Sequence, residues 1–303
     1  MLLLQQMIVL FMLMVIGYGI RKKEIIDDKG CKTFSWLVVN VANPAMIVSA
    51  SVTSEKAVEP DELLGTFGIA GILFGCLIVI SVLIPYLLRV EKKSAGVYRV
   101  MTIFSNIGFM GFPLINVLYG AEALVYASVF LIPFNLLIYT YGILALKPKG
   151  EEKLAIGKMF NIGTLSCVIS VCISFWHPTV PDFIKTGVAQ LSGLTAPLSM
   201  MVIGASLALI NLRELFSDVR LLIFSVIKLL IVPIAGLFMF KTFIHSQMML
   251  GICLVMFATP VASMTAMLAQ QYDGDYELAS KGVALSTILS VITMPIVSMI
   301  TGI

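Results

Sequence analysis

Charged side chains are scarce in this chain. They make up 12% of the 303 residues, whereas hydrophobic residues make up 59%. A soluble domain carries roughly 25% charged residues, so this composition excludes an ordinary soluble protein and predicts an all-α integral membrane protein. A chain of this length has room for about ten membrane helices of ~20 residues with short loops between them.

Carboxylates are absent from the middle of every predicted span, because all seventeen Asp and Glu residues fall in a loop or at a span end. Proton relays and cation antiporters usually place a carboxylate inside the membrane. The absence therefore argues against a cation exchanger, although a sodium site built only from carbonyls and hydroxyls stays open. The ten predicted spans are approximately residues 3–20, 33–53, 64–88, 100–119, 123–146, 160–176, 184–210, 219–243, 247–270 and 281–301.

Metal-binding and catalytic patterns are also missing. The five cysteines have no metal-ligand spacing, so we expect no metal, no cofactor and no disulfide. We assign four of them to spans and Cys31 to a cytoplasmic loop. The spans contain no paired aspartates, no His-Glu-x-x-His motif and no Ser/His pair, which makes an intramembrane enzyme an unfavoured alternative.

The distribution of basic residues predicts the orientation. The odd-numbered loops carry sixteen Lys and Arg residues and the even-numbered loops three. Basic residues accumulate on the cytoplasmic side, so we expect both termini outside the cell membrane. The N-terminal apolar run is followed rather than preceded by basic residues, as in a retained first span. The net charge of +3 reflects this loop bias and does not indicate a nucleic acid partner.

The order of spans and prolines predicts an internal repeat. Five spans (residues 1–146) precede a cytoplasmic loop (147–159), and five follow it (160–303). An odd number of spans per half means that the second half enters from the opposite side, so the 5+5 repeat is inverted. Prolines recur in matching spans of the two halves, as the pairs Pro44 and Pro197, Pro85 and Pro233, Pro113 and Pro260, and Pro133 and Pro295.

Two apolar segments are interrupted at matching places in the two halves, at residues 105–113 and 258–263. Backbone groups freed by a broken helix are tolerated in a membrane where protein or a cavity satisfies them. Paired interruptions are a sequence pointer to a transporter's binding site. The candidate site residues in these segments are Asn106, Gly108, Gly111, Pro113, Thr259, Pro260 and Ser263.

Asn106 and Lys228 are the main polar candidates within the spans. The Asn106 amide either contacts substrate or only caps backbone freed by the break. Lys228 lies nine residues after Val219, about 13 Å along a helix. It either reaches back to the cytoplasmic interface or supplies positive charge at the site. Asn43, beside Pro44, and Asn135 are weaker candidates.

Two broken helices that cross at their breaks would direct two helix N-termini at one centre. Each N-terminus carries roughly half a positive charge. This arrangement favours an anion such as a carboxylate, and Lys228 would strengthen the preference.

Short motifs in a fixed order resemble the auxin efflux carrier family over essentially the whole chain. They are Asn43-Pro44-Ala45-Met46, Asn106 through Gly111-Phe112-Pro113-Leu114 with Tyr119-Gly120, Lys228 five residues before Pro233, Ala258-Thr259-Pro260 through Tyr272, and Met294-Pro295. The resemblance implies ten helices in an inverted repeat with crossed, broken fourth and ninth helices. It also implies elevator transport of small organic anions, with spans one, two, six and seven as scaffold, and a homodimer.

The same resemblance assigns the substrate site to Asn106 and the crossing at Pro113 and Pro260, supported by Asp61 or Glu62. Two features depart from the family pattern. The loop at 147–158 is short, and Thr265 stands where a second proline is often found.

Three readings of function therefore stay open. The first is a secondary carrier of organic anions, with auxin-like compounds and mono- or dicarboxylates as candidate substrates. The second is a sodium-coupled organic anion carrier of the bile-acid type. The third, from another class, is a membrane sensor that does not transport.

Overall fold

The computed structural model describes residues 2–53, 60–146, 161–176, 178–211, 215–272 and 274–303. In these ranges the chain is helical, and its extended pairing is limited to one isolated bridge. The helices, in chain order, are α1 Leu2–Lys22, α2 Asp28–Leu37, α3 Asn43–Thr53, α4 Pro60–Leu87, α5 Lys92–Ile103, α6 Phe112–Leu137, α7 Ile143–Leu146, α8 Ile162–Trp176, α9 Asp182–Gly193, α10 Thr195–Leu207, α11 Val219–Val226, α12 Val232–Phe240, α13 Gln247–Ala258, α14 Ser263–Gln271 and α15 Tyr276–Thr301.

Seven helical segments of the described chain are long and apolar enough to cross a membrane. They are Leu3–Lys22, Asp28–Thr53, Asp61–Leu87, Ile107–Leu146, Asp182–Leu207, Val219–Phe240 and Tyr276–Thr301. Two shorter apolar helices, Ile162–Trp176 and Gln247–Ala258, accompany them. The prediction of an all-helical, multi-pass membrane protein is confirmed.

Several helices begin earlier than the apolar pattern predicts. The helix predicted from residue 33 starts at Asp28, and the helix predicted from residue 281 starts at Tyr276. Asp27 and Asp275 are the N-caps, and their carboxylates accept hydrogen bonds from the backbone N–H groups three residues further on. Polar first turns thus extend these helices beyond the apolar run. As a result Cys31 lies in α2, so its assignment to a loop is wrong.

The segment Ile107–Leu146 is not one straight helix. Its 40 residues would measure about 60 Å as a single helix, twice the ~30 Å of a hydrocarbon core. Gly120 interrupts it with φ 79° and ψ −173°, a conformation that glycine adopts without a side-chain clash. The turn coincides with the predicted boundary between spans 100–119 and 123–146.

Three turns of π-helix share one sequence feature, which is a proline two residues after the turn ends. Proline has no N–H and clashes with the carbonyl four residues earlier, so the preceding turn widens to bonds that reach five residues back. A further π-turn within the described residues, Ile138–Gly142, lacks this proline. The three π-turns that precede a proline are Val38–Ala42 before Pro44, Ile107–Gly111 before Pro113, and Ile227–Ile231 before Pro233.

The chain divides into two compact units, each drawn from both halves of the sequence. Unit 1 comprises Met1–Phe67, Gly108–Ile132 and Asn161–Ile210, and unit 2 comprises Gly68–Ile107, Pro133–Phe160 and Asn211–Ile303. The predicted loop at 147–159 lies outside the described residues. The two units are therefore a different division of the chain from the predicted sequential halves.

Unit 1 is organised by two helix pairs. α1 packs along α10, and α8 packs on α3. The first pair approaches closely at two glycines, because a Cβ on Gly17 would lie 2.1 Å from the Met201 carbonyl oxygen and one on Gly204 would lie 1.9 Å from that of Met14. Small residues at such positions allow membrane helices to pack backbone against backbone.

Unit 2 has a core of aromatic and aliphatic side chains around α15, which packs against α5, α11, α12, α13 and α14. Phe134 contacts the rings of Phe74 and Phe104 edge to face, at centroid separations of 6.4 and 5.3 Å. Phe104 is fully buried and is the first residue beyond α5. This packing fixes the point at which the helix stops.

Candidate functional site

The first interruption, residues 104–106, follows the end of α5. Phe104 leaves the helix with φ −96° and ψ 103°, and a π-turn resumes at Ile107. All three side chains are buried. The helix therefore stops inside the protein, where its freed backbone groups need partners.

The second interruption, residues 259–262, follows the end of α13. Thr259 has φ −65° and ψ 149°, and Ala262 has φ −62° and ψ 132°, before α14 begins at Ser263. Residues 259–262 are also buried. Both interruptions predicted from the sequence are present.

The two interruptions pair with each other inside unit 2. Ser105 and Val261 form an antiparallel bridge. The Asn106 N–H donates to the Pro260 carbonyl at 2.7 Å, and the Ala262 N–H donates to the Phe104 carbonyl at 2.9 Å. In this type of pair the peptide groups of the two central residues point away from each other. The broken helices thus satisfy part of their freed backbone mutually.

Lys228 lies at this paired interruption. Its side chain is 0% exposed, and Nζ donates to the Ser105 hydroxyl at 2.7 Å. Within the described residues the ion pairs are Arg21 with Asp28 and Lys281 with Glu277, so Lys228 has no carboxylate partner there. A lysine held inward in this way does not reach the interface, and its contribution of charge to a substrate site stays a prediction.

The Asn106 amide has an open donor. The side chain is 3% exposed, and Nδ2 has no hydrogen-bond partner among the described residues. Pro113 deprives the Phe109 carbonyl of its helical donor, but that carbonyl accepts the Ser199 hydroxyl at 2.8 Å within unit 1. Since Ser199 serves the freed carbonyl, Asn106 is not needed to cap it.

Hydroxyls near the second interruption have different roles. The Thr259 hydroxyl donates to the Val255 carbonyl of its own helix at 2.8 Å, the local bond that makes threonine an unspecific indicator of a site. Ser263 is half-buried at the first position of α14. Thr265, which stands in place of a second proline, is fully buried, and its hydroxyl has no hydrogen-bond partner in the part of the chain that the structure describes.

The remaining candidates of the first half are grouped in unit 1. Asn43 is the first residue of α3, and its buried Oδ1 has no partner among the residues that the structure describes. A Cβ on Gly108 would lie 3.2 Å from Asn43 Nδ2, so these two candidates are neighbours. Gly111 ends the π-turn that precedes Pro113. Asn135, by contrast, is buried on α6 within unit 2.

The two acidic residues that the family resemblance associates with the substrate site lie at the start of α4. Asp61 and Glu62 occupy its first turn, and the Tyr126 hydroxyl donates to the Glu62 carboxylate. These residues belong to unit 1. In the described chain, no three His, Cys, Asp or Glu side chains are grouped so as to hold a metal ion.

Sequence reasoning did not single out Ser286, Ser105 or Ser199, whose hydroxyls form tertiary contacts. Ser286, on α15, accepts the Val261 N–H at 3.0 Å. Hydroxyl residues at 286, 287 and 290 in an otherwise apolar span are the sequence signal that was available for the first of them. Nothing local indicates their partners, which are distant in sequence.

A separate polar cavity of about 560 Å³ lies elsewhere in unit 2. It is lined by the first residues of α5, α11 and α15 and by the segments before them, including Glu91, Asp218, Arg220 and Asp275. These segments are the predicted loops three, seven and nine. The cavity is distinct from the paired interruption and groups three odd-numbered loops on one face of the unit.

Known proteins resemble the chain along most of its length. The sequence profile of a family described as "Membrane transport protein" matches residues 2–161 and 151–298. An uncharacterized transporter of Methanothermobacter thermautotrophicus is 26% identical over 302 residues, and one of Methanocaldococcus jannaschii is 24% identical over 300 residues. Each alignment covers 95% of both chains.

Proposed function

The chain belongs to the membrane transport protein family, and from this membership we propose that it is a secondary carrier of small organic anions, such as auxin-like compounds or mono- and dicarboxylates. The observation that supports the substrate class is the paired interruption with Lys228 at its centre. A fully buried ammonium whose partner among the described residues is a hydroxyl is stabilised by an anion. The Asn106 Nδ2 donor gives the bound carboxylate a second contact.

The proposed architecture is ten spans in a 5+5 inverted repeat. The turn at Gly120 supports two crossings in the segment Ile107–Leu146, and the shorter helices Ile162–Trp176 and Gln247–Ala258 supply further crossings. The pairing in unit 1 supports the repeat. α1, in span one, packs on α10, which is the end of span seven. α8, in span six, is the counterpart of α1 in the second half, and it packs on α3, which is the end of span two.

The proposed mechanism is an elevator in which one body moves against a scaffold. Helices α1, α2, α3, α8, α9 and α10 all belong to unit 1, and they form the scaffold spans that the family resemblance implies. Residues 108–132 also belong to unit 1, although they are part of spans four and five. An elevator movement therefore requires that the Ser199–Phe109 hydrogen bond break during the cycle.

We place the carrier in the cell membrane as a homodimer with both termini outside. The cavity that gathers loops three, seven and nine supports a common side for these loops, and the basic-residue count assigns that side to the cytoplasm. A cysteine introduced at Gly150, outside the described residues, should be protected from impermeant reagents in intact cells. A cysteine at Ile303 should react, and the opposite pattern would overturn the orientation.

Flux into proteoliposomes tests the proposed function. The purified protein should carry radiolabelled malate or indole-3-acetate down its gradient, and empty liposomes should not. Uptake that requires sodium on the same side as the substrate would instead identify the sodium-coupled alternative. Binding of these anions without flux would identify a sensor.

A further inference from the structure

We propose that Ser286 is a positioning residue for the site at the paired interruption. It contacts neither Lys228 nor Asn106 among the hydrogen bonds of the structure. Its hydroxyl instead holds the backbone of Val261, which pairs with the segment that carries Asn106 and contacts Lys228. The inference rests on the proposed carrier function for its transport readout, but its geometric content stands on unit 2 alone.

The Val261 N–H needs a partner from outside the bridge. Val261 lies opposite Ser105 in the antiparallel pair, so its peptide group points away from residues 104–106. Thr259 and Ala262, on either side of the segment, have extended backbone, and within the described residues the partner of this N–H is the Ser286 hydroxyl. Val261 is 0% exposed, and a buried N–H without an acceptor is strongly unfavourable in a membrane.

The Ser286 hydroxyl is the partner of the Val261 N–H, and it both accepts and donates a hydrogen bond. It accepts the Val261 N–H at 3.0 Å and donates to the Val283 carbonyl at 3.1 Å. Because a hydroxyl has one donor and two acceptor positions, the bond within α15 orients the oxygen lone pairs toward Val261. Helix α15 thereby holds the second interruption.

The hydrogen bond between Ser286 and Val261 also affects Lys228, through Ser105. Two backbone hydrogen bonds, of 2.7 and 2.9 Å, hold the paired interruption together. On the Val261 side Ser286 fixes the pair from outside, and on the other side Ser105 accepts the Lys228 ammonium at 2.7 Å. Loss of the Ser286 acceptor should let the pair shift, which would displace Ser105 and the adjacent Asn106 amide.

Hydrogen–deuterium exchange tests the geometric step without any substrate. In the purified full-length parent, the Val261 amide should be protected, as read from peptides that span residues 259–263. Ser286→Ala and Ser286→Cys should exchange there roughly tenfold faster, because cysteine retains volume but is a weak acceptor. Ser286→Thr retains the hydroxyl and should stay close to the parent.

Ser225→Ala is the matched control. Ser225 is also fully buried in unit 2, but its hydroxyl donates only to the Leu221 carbonyl of its own helix, at 2.8 Å. Exchange at 259–263 should be unchanged in this variant. Parent-like exchange in both Ser286→Ala and Ser286→Cys would overturn the proposal.

Transport kinetics test the positioning step. With malate and indole-3-acetate as probes, Ser286→Ala should raise the half-saturation concentration roughly tenfold, with a smaller change in maximal rate. Ser286→Thr should restore it, and Ser225→Ala should match the parent. If Ser286→Ala exchanges faster at residues 259–263 but has the parent's half-saturation concentration, Ser286 is only a structural residue and the proposal is overturned. If the parent carries neither anion, the proposed function fails, and the exchange result alone decides whether Ser286 holds Val261.

Discussion

The helix pair of α1 and α10 in unit 1 and the paired interruption in unit 2 solve the problem of close helix packing in opposite ways. In the first, glycines bring backbone against backbone, at Gly17 against Met201 and Gly204 against Met14. In the second, backbone meets backbone through hydrogen bonds, with a buried lysine beside it. The first is apolar and regular. Among the described residues, the second leaves the Asn106 Nδ2 donor without a partner and Lys228 without a carboxylate, as the proposed anion site requires.

In the proposed carrier, rigidity and binding thus belong to different helices. A contact of continuous helices through glycines offers no polar group to a solute and suits a fixed frame. A contact of broken helices exposes N–H groups and dipole ends, which bind anions. Each of the following predictions alters one of these two contacts and asks whether stability or substrate binding responds.

The largest effect is expected at Lys228, whose ammonium bonds to the paired interruption through Ser105. Removal of one partner from a buried charge interaction typically costs about 3–5 kcal/mol. Lys228→Ala should therefore reduce anion flux in proteoliposomes at least about hundredfold, and Lys228→Glu should abolish it. Lys228→Arg should retain part of the flux, since the charge stays while its shape changes. Parent-level flux in the alanine variant would remove the lysine from the site.

The next effect is expected at Gly204, and it concerns stability rather than binding. In Gly204→Ala the new Cβ would lie 1.9 Å from the Met14 carbonyl oxygen, so the backbones of α1 and α10 must separate. Overpacking of this kind costs roughly 1–3 kcal/mol. The melting temperature in detergent should fall by several degrees.

Gly19→Ala is the control for this change. Gly19 lies on α1, and a Cβ there would meet no atom within 4 Å. Its melting temperature should match or exceed the parent's, because alanine favours helix over glycine. Equal losses in both variants would mean that the close approach at Gly204 is not what holds α1 to α10.

A smaller effect is expected at Asn106. Asn106→Ala removes the open Nδ2 donor, and a hydrogen bond to a charged ligand contributes about 1.5–3 kcal/mol. The apparent affinity for carboxylates should fall at least tenfold or so, with the melting temperature unchanged. Asn40→Ala is the control, because the Asn40 amide donates to the Trp36 carbonyl on its own helix. If both variants bind like the parent, Asn106 is only a backbone partner.

The sequence predicted those parts of the fold that depend on local composition. Long apolar runs predicted the apolar helices, and Gly108, Gly111 and Pro113 indicated an irregular segment that begins directly after the first interruption. Proline also explains the widened turns before Pro44, Pro113 and Pro233. Helix starts were placed too late where Asp27 and Asp275 cap polar turns, although such residues are recognisable N-caps.

The contacts that build the candidate site could not be predicted in the same way. From the sequence, Lys228 had a position along a helix but no partner, and both inward and outward directions were open. Its bond to Ser105 joins residues 123 positions apart. The bond between Ser286 and Val261 likewise depends on how α15 packs, and the Ser199–Phe109 bond on how α10 packs. No local pattern encodes these tertiary pairings.

Binding measured by thermal shift separates a charge-selective site from a merely apolar one. Parent protein and Lys228→Ala should each be heated with indole-3-acetate and with its uncharged analogue, indole-3-acetamide. The same series is run with malate. A carboxylate that pairs with Lys228 should raise the melting temperature of the parent, because a ligand stabilises the state that binds it. The amide should have little effect on either protein, and neither acid should stabilise Lys228→Ala. Equal stabilisation of the parent and the alanine variant by a carboxylate would contradict the assignment of the anion site to Lys228.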